Sequence, residues 1–178
     1  MNERDADRDR PPIEQRLGDA LREREETIAV AESCTGGLVG SMLTDVAGSS
    51  DYFDRGFVTY SYDAKMQDLG VAREDLDERG AVSDPVARQM ARGVRDAAGT
   101  TWGVATTGIA GPTGGSDEKP VGTVFVGVAY AGDWGTQASY AVVSRYEFDG
   151  DRREVKAKIA RQALADVLSE VKSESDGE

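Results

Sequence analysis

The sequence predicts an α/β layered domain whose sheet is mixed and mostly parallel, and three observations carry that expectation. Short apolar runs with strand period alternate with stretches whose apolar residues recur at helical spacing. Two strand-like runs lie close together late in the chain and predict a hairpin, which makes an otherwise parallel sheet mixed. The length of 178 residues suits one domain with one sizeable core, and neither a second domain nor an internal repeat is expected.

Residues 1–12 carry charges of both signs and a Pro-Pro pair but almost no apolar side chains, the composition of a disordered tail. From Ile13 the spacing changes. Ile13, Leu17 and Leu21 form a stripe among Arg and Glu, predicting an amphipathic helix that ends near Glu26. Thr27-Ile-Ala-Val-Ala31 reads as a buried strand, and Leu38, Val39, Met42, Leu43 and Val46 then mark a helix over residues 37–46, with Thr35 placed to cap it. Residues 53–60 read as a second strand. Ser61 then caps a short helix that stops at Gly70 and holds Lys65 in its first turn.

Residues 71–80 are charged and predict irregular structure, whereas Ser83-Asp-Pro85 starts a helix with a cap and an early proline. Val86, Met90, Val94 and Ala97 supply its buried stripe. Residues 101–107 form a third strand and empty into residues 108–120, a long loop with four glycines of the kind that is usually functional or mobile. Residues 121–131 and 136–148 make the hairpin. Asp149-Gly-Asp151 opens a final helix with the stripe Val155, Ile159, Ala163, Val167 and Val171, and residues 172–178 form a polar tail.

Composition excludes several classes of function. The net charge is -12, from 33 acidic and 21 basic residues, so nucleic acid and anionic membranes are poor partners and an anionic ligand must be held by local donors. So much acid suits a salty cytoplasm, or simply an acidic soluble protein. One cysteine precludes an internal disulfide, and no apolar run approaches the roughly 20 residues of a membrane helix, so a cytoplasmic location is expected. There is no histidine, which rules out a Ser-His-Asp triad, a Cys-His dyad and an imidazole metal site. Neither metal nor cofactor is expected.

Ligands of a mostly parallel sheet belong at the carboxyl ends of its strands. Three loops can converge there: residues 33–37, 60–65 and 107–115. In a chain without histidine, a serine nucleophile needs Lys, a carboxylate, a tyrosinate or a metal hydroxide as its base. Lys65, near a helix N-terminus and screened beside the sheet, is the leading candidate, with its pKa lowered by that setting. Tyr60 stands on the approach to the same edge. Ser33, Tyr60 and Lys65 thus make a possible set for acyl transfer, with the N–H groups of Gly36 and Gly37 as an oxyanion hole.

Each residue also has a bland role. Ser33 suits a helix cap, Tyr60 a wall, and Lys65 the solvated surface; Cys34, with no histidine to activate it, suits a small buried apolar residue. Glu32 and Thr35 flank the nucleophile and are candidates for holding substrate, though Glu32 equally suits a structural carboxylate. In the long loop, the N–H groups of Gly108, Gly111, Gly114 and Gly115 could cradle a phosphate, aided by the hydroxyls of Thr107 and Thr113, or could merely permit a tight connection. The loop matches neither the Walker nor the dinucleotide glycine pattern. Arg152 and Arg145 are the candidate counter-charges to a phosphate.

Five long motifs in order carry a resemblance: Ala31-Glu-Ser-Cys-Thr-Gly-Gly37; Val58-Thr-Tyr-Ser61 followed by Ala64-Lys65; Gly80-Ala-Val-Ser83; Thr107-Gly-Ile-Ala-Gly-Pro-Thr-Gly-Gly115; and Lys119-Pro-Val-Gly-Thr123. With them the chain resembles the CinA C-terminal domain family, the nicotinamide mononucleotide amidohydrolases, over residues 13–171. The resemblance implies a three-layer α/β/α fold, hydrolysis of the carboxamide of nicotinamide mononucleotide to nicotinate mononucleotide and ammonia, and frequent association as homo-oligomers. It lays the family's catalytic serine, tyrosine and lysine on Ser33, Tyr60 and Lys65, and implies no metal or other cofactor. Full-length members often carry an N-terminal domain that this chain is too short to hold. One departure is Tyr62, where a smaller or amide residue is expected. A non-catalytic nucleotide-binding or partner-binding module of the same fold is the alternative reading.

Overall fold

A computed structural model describes residues 10–175. Residues 1–9 and 176–178, parts of the two expected tails, lie outside the described residues. The elements in chain order are α1 (Ile13–Glu23), β1 (Ile28–Glu32), α2 (Leu38–Thr44), a 3-10 turn (Ser49–Asp51), β2 (Phe53–Val58), α3 (Tyr62–Leu69), α4 (Arg73–Arg79), α5 (Asp84–Ala98), β3 (Trp102–Gly108), β4 (Thr123–Tyr130), β5 (Tyr140–Glu147) and α6 (Arg152–Ser175).

The strands form one sheet in the order β2-β1-β3-β4-β5. β1 runs parallel to both β2 and β3, while the β3–β4 and β4–β5 pairs are antiparallel. The late hairpin therefore makes the sheet mixed, as the sequence predicts, and the carboxyl ends of β1, β2 and β3 share one edge.

Alternation along β1 decides which helices cover which face. Ile28 and Val30 join Trp102, Val104, Val124, Val126 and Val128 in a cluster with Leu17, Leu21, Leu43 and the α6 stripe. Ala29 and Ala31 point the other way, with Ala105, Ala129 and Ala141, against Leu76, Met90 and Val94. The result is helix, sheet, helix in three layers. Small side chains on the second face let α5 approach closely: a Cβ on Gly127 would stand 2.5 Å from the Ala87 carbonyl oxygen. Val155, Ile159, Ala163, Val167 and Val171 are all 1% exposed or less. Each such aliphatic side chain contributes roughly 1.5–3 kcal/mol on burial, less for Ala, so α6 is firmly seated.

Several local expectations are corrected. Residues 73–79 are helical and not irregular: the Arg73–Asp77 pair at 3.0 Å spans one turn, acidic Glu74 and Asp75 stand in the first turn, and Leu76 alone is buried. One apolar anchor gives no periodicity to read. Thr35 does not cap α2; its hydroxyl lies 2.7 Å from that of Thr106. Ser83 precedes α5, yet its hydroxyl donates to the Gly80 carbonyl at 2.9 Å. β5 begins at Tyr140 because residues 133–138 turn, with Thr136 Oγ1 donating to the Asp133 carbonyl at 2.7 Å. α6 runs to Ser175, so residues 172–175 of the expected tail are helical. Ser61 does cap α3, accepting from the Ala64 N–H at 3.1 Å. No helix among the described residues is long and apolar enough to cross a membrane.

Candidate active site

β1 ends at Glu32, and the chain turns at once. The Ser33 N–H donates to the Thr106 carbonyl at 3.0 Å, fixing the turn to β3, and the Gly36 N–H donates back to the Ser33 carbonyl at 3.1 Å. Gly36 and Gly37 then take positive φ, of 61° and 103°, where a side chain would be strained. Glu32 holds the far end of the turn. Its carboxylate is 2% exposed and accepts from the N–H groups of Gly37, Val39 and Gly40 at 2.9–3.1 Å. It is the cap of α2, an anion at the positive end of a helix.

These bonds correct the expected oxyanion hole, because the N–H groups of Gly36 and Gly37 already have acceptors within the turn. Among the described residues, the two turn N–H groups that make no main-chain hydrogen bond are those of Cys34, which faces its own thiol, and Thr35, the two residues after Ser33.

Lys65 reaches the turn from α3. Its backbone N–H closes the first helical turn on the Ser61 carbonyl, and its side chain runs inward until only 1% is exposed. Its Nζ lies 3.0 Å from Ser33 Oγ and 2.6 Å from the Thr59 carbonyl oxygen, to which it donates. Among the described residues no carboxylate pairs with it. Burial lowers its pKa from 10.5 to about 8. The Cys34 thiol is shifted the other way: burial pushes it up to about 12, so it stays protonated and is a poor nucleophile.

A cavity of about 280 Å³ opens over this pair. Ser33, Cys34, Tyr60 and Lys65 form one side of it, and Thr107, Gly108, Gly111, Thr113 and Gly114 line it from the long loop. The three loops thus converge at the sheet edge. Tyr60 makes no hydrogen bond to Ser33 or Lys65; its hydroxyl accepts from Arg152 Nη2 at 3.1 Å, at the exposed mouth. Arg152, the first residue of α6, also donates to the Gly111 carbonyl at 2.7 Å, tying the glycine loop to the tyrosine.

Other expected residues lie elsewhere. Glu32, Thr35, Gly36, Gly37 and Gly115 are not in the cavity wall, and Tyr62 is an exposed helix residue outside it. Arg145 is engaged with Glu147 and the Glu118 carbonyl, away from the cavity. Thr107 lines the cavity, but its hydroxyl donates to the Ala81 carbonyl at 2.7 Å. Residue-level reasoning missed the apolar wall of Ala81, Val82, Ile109 and Ala110. The signal lay in Ala81 and Val82 of the Gly80-Ala-Val-Ser83 motif and in Ile109 and Ala110 of the glycine loop, apolar residues with no reactive group.

An amine with a lowered pKa, held 3.0 Å from a hydroxyl, is arranged to take that hydroxyl's proton. The model of the CinA C-terminal domain family matches residues 10–171. A CinA-like protein of Salinibacter ruber is 54% identical over 152 residues, covering 85% of this chain and 35% of that protein. One of Nostoc punctiforme is 56% identical over 124 residues, covering 70% and 30%. The chain thus spans about a third of the length of these curated relatives. Among solved structures, a CinA superfamily protein of Klebsiella pneumoniae superposes with a TM-score of 0.83 at 33% identity, covering 90% of this chain and 96% of that one. A competence/damage-inducible protein of Agrobacterium tumefaciens gives 0.80 at 38% identity, covering 89% and 96%.

Proposed function

This chain belongs to the CinA C-terminal domain family, and from that premise we propose that it hydrolyses the carboxamide of nicotinamide mononucleotide, with Ser33 as nucleophile and Lys65 as its base. The association of the family with nicotinamide mononucleotide amidohydrolase activity supports the substrate. One observation carries the chemistry: a buried lysine, with no carboxylate partner among the described residues, whose Nζ lies 3.0 Å from Ser33 Oγ.

The steps follow from the geometry. The Thr59 carbonyl holds one hydrogen of the Lys65 amine, which leaves the lone pair of the neutral form for Ser33. Ser33 Oγ attacks the amide carbon as its proton passes to Lys65 Nζ. The oxyanion is met by the N–H groups of Cys34 and Thr35. Lys65 returns the proton to the departing nitrogen, the C–N bond breaks, and ammonia leaves an ester on Ser33. Water then attacks that ester, giving its proton to Lys65, which reprotonates Ser33 Oγ as the acid is released. The cationic pyridinium makes the carbonyl more electrophilic, and the apolar wall of Ala81, Val82, Ile109 and Ala110 suits a flat ring. Arg152 positions Tyr60 at the mouth and offers charge to the phosphate.

Release of ammonia and nicotinate mononucleotide by the purified protein tests the reading; nucleotide binding without turnover would overturn it. Two further outcomes are expected. Because Lys65 must be neutral to act as base, kcat/KM should rise about tenfold per pH unit below 8 and level off above it. A pH-rate profile flat from 6 to 9 would remove Lys65 from that role. Cys34→Ala should keep activity within about threefold, since Cys34 supplies a main-chain N–H and its thiol stays protonated. A loss of 100-fold or more on the same assay would restore the thiol as a candidate nucleophile.

A further inference from the structure

We propose that the cleft between α1 and α6 is a second ligand site, for a nucleotide carrying two or more phosphates. This cleft of about 620 Å³ shares no residue with the cavity at Ser33.

Charge is the first argument. The chain carries 33 acidic and 21 basic residues, yet Arg10, Arg16, Lys158 and Arg161 line this one cleft against a single carboxylate, Glu14. Among the described residues seven other arginines pair with a carboxylate, whereas Arg79, Arg92, Arg152 and Arg153, which lie apart from this cleft, do not. Arg10, Arg16 and Arg161 have no ion pair or side-chain hydrogen bond among the described residues. Lys158 is held in place by donating to the Asp149 carbonyl. Three guanidinium groups without an ion pair among the described residues repel each other around one space, and a bound polyanion removes that cost. Their planar forks match phosphate oxygens.

Shape narrows the class. Between the cations lie Pro11, Pro12, Ile13 and Phe148, the last stacked on Tyr146 at 5.8 Å. An apolar surface of this kind takes a flat base, and a volume of about 620 Å³ would be left mostly empty by one inorganic phosphate. Glu14 can accept from a sugar hydroxyl or a base amino group, while it opposes bare polyphosphate. A long nucleic acid is disfavoured, because beyond the cleft it meets a protein of net charge -12.

Calorimetry on the full chain at one fixed ionic strength tests this, with ADP, AMP and inorganic pyrophosphate as probes. ADP should bind one site per chain, more tightly than AMP or pyrophosphate. Arg16→Ala combined with Arg161→Ala should weaken ADP at least about 10-fold. Arg79→Ala with Arg92→Ala, which changes net charge equally on the exposed surface of α4 and α5, should leave ADP binding within about twofold. Nicotinamide mononucleotide should not displace ADP, and the Arg16/Arg161 variant should deamidate it normally. Absence of ADP binding, equal weakening by both pairs, displacement by nicotinamide mononucleotide, or pyrophosphate binding as tight as ADP would each overturn the proposal. The ADP, AMP and pyrophosphate binding outcomes do not depend on whether the Ser33 site is an amidase, which the ammonia assay decides separately.

Discussion

Ser33→Ala should lower deamidation of nicotinamide mononucleotide by about 10⁴-fold or more while leaving the thermal midpoint nearly unchanged. The substitution removes the one atom that forms the covalent bond to substrate. A loss of that size corresponds to roughly 5.5 kcal/mol of transition-state stabilisation. The Lys65 amine loses one partner at 3.0 Å but keeps the Thr59 carbonyl at 2.6 Å, so the fold has little to relax. Ammonia release and a melting curve on the same preparation check both halves. Activity within tenfold of the parent would remove Ser33 from the chemistry.

Lys65→Met should lower activity by about 10³-fold or more and, at the same time, stabilise the protein at neutral pH. The pKa of Lys65 falls from 10.5 to about 8 in the folded chain, so below pH 8 folding confines an ammonium that would rather be hydrated. By linkage that costs about 3 kcal/mol. Methionine fills a similar volume without charge, although the Thr59 carbonyl loses its donor, which returns about 1–3 kcal/mol of the gain. A net stabilisation of about 1–2 kcal/mol at pH 7 is therefore expected. The sign of the pH dependence is fixed as well. Between pH 8 and 10.5 the folded state has released this proton and the unfolded state still holds it, so this group makes the parent more stable as pH rises. The variant should lack that rise in denaturant titrations at several pH values. A variant destabilised at pH 7, with the parent's slope retained, would mean that the ammonium is not desolvated.

The sequence made the sheet edge legible because strand period, helix period and glycine punctuation agree there. β1, its turn and the cap of α3 by Ser61 could each be read locally, and they bring Ser33 and Lys65 to one place. With no histidine in the chain, the base for a serine at this turn has to come from another element. What the sequence hid was long in reach or plain in chemistry. Glu32 caps α2 from five residues before its first donor, at Gly37, whereas a cap is normally sought just ahead of the helix, so Thr35 drew the assignment. The same capping takes the Gly37 N–H out of the oxyanion hole. Arg152 meets Tyr60 across 92 positions, a contact that only the fold creates. α4 rests on one buried leucine and on charge pairing, and neither produces a hydrophobic period.

That Ser33, and not Cys34, becomes acylated is most directly tested by rapid acid quench of the enzyme with nicotinamide mononucleotide, followed by peptide mass mapping. The expected result is an ester of nicotinate mononucleotide on Ser33. An adduct on Cys34, or on any residue other than Ser33, would contradict it.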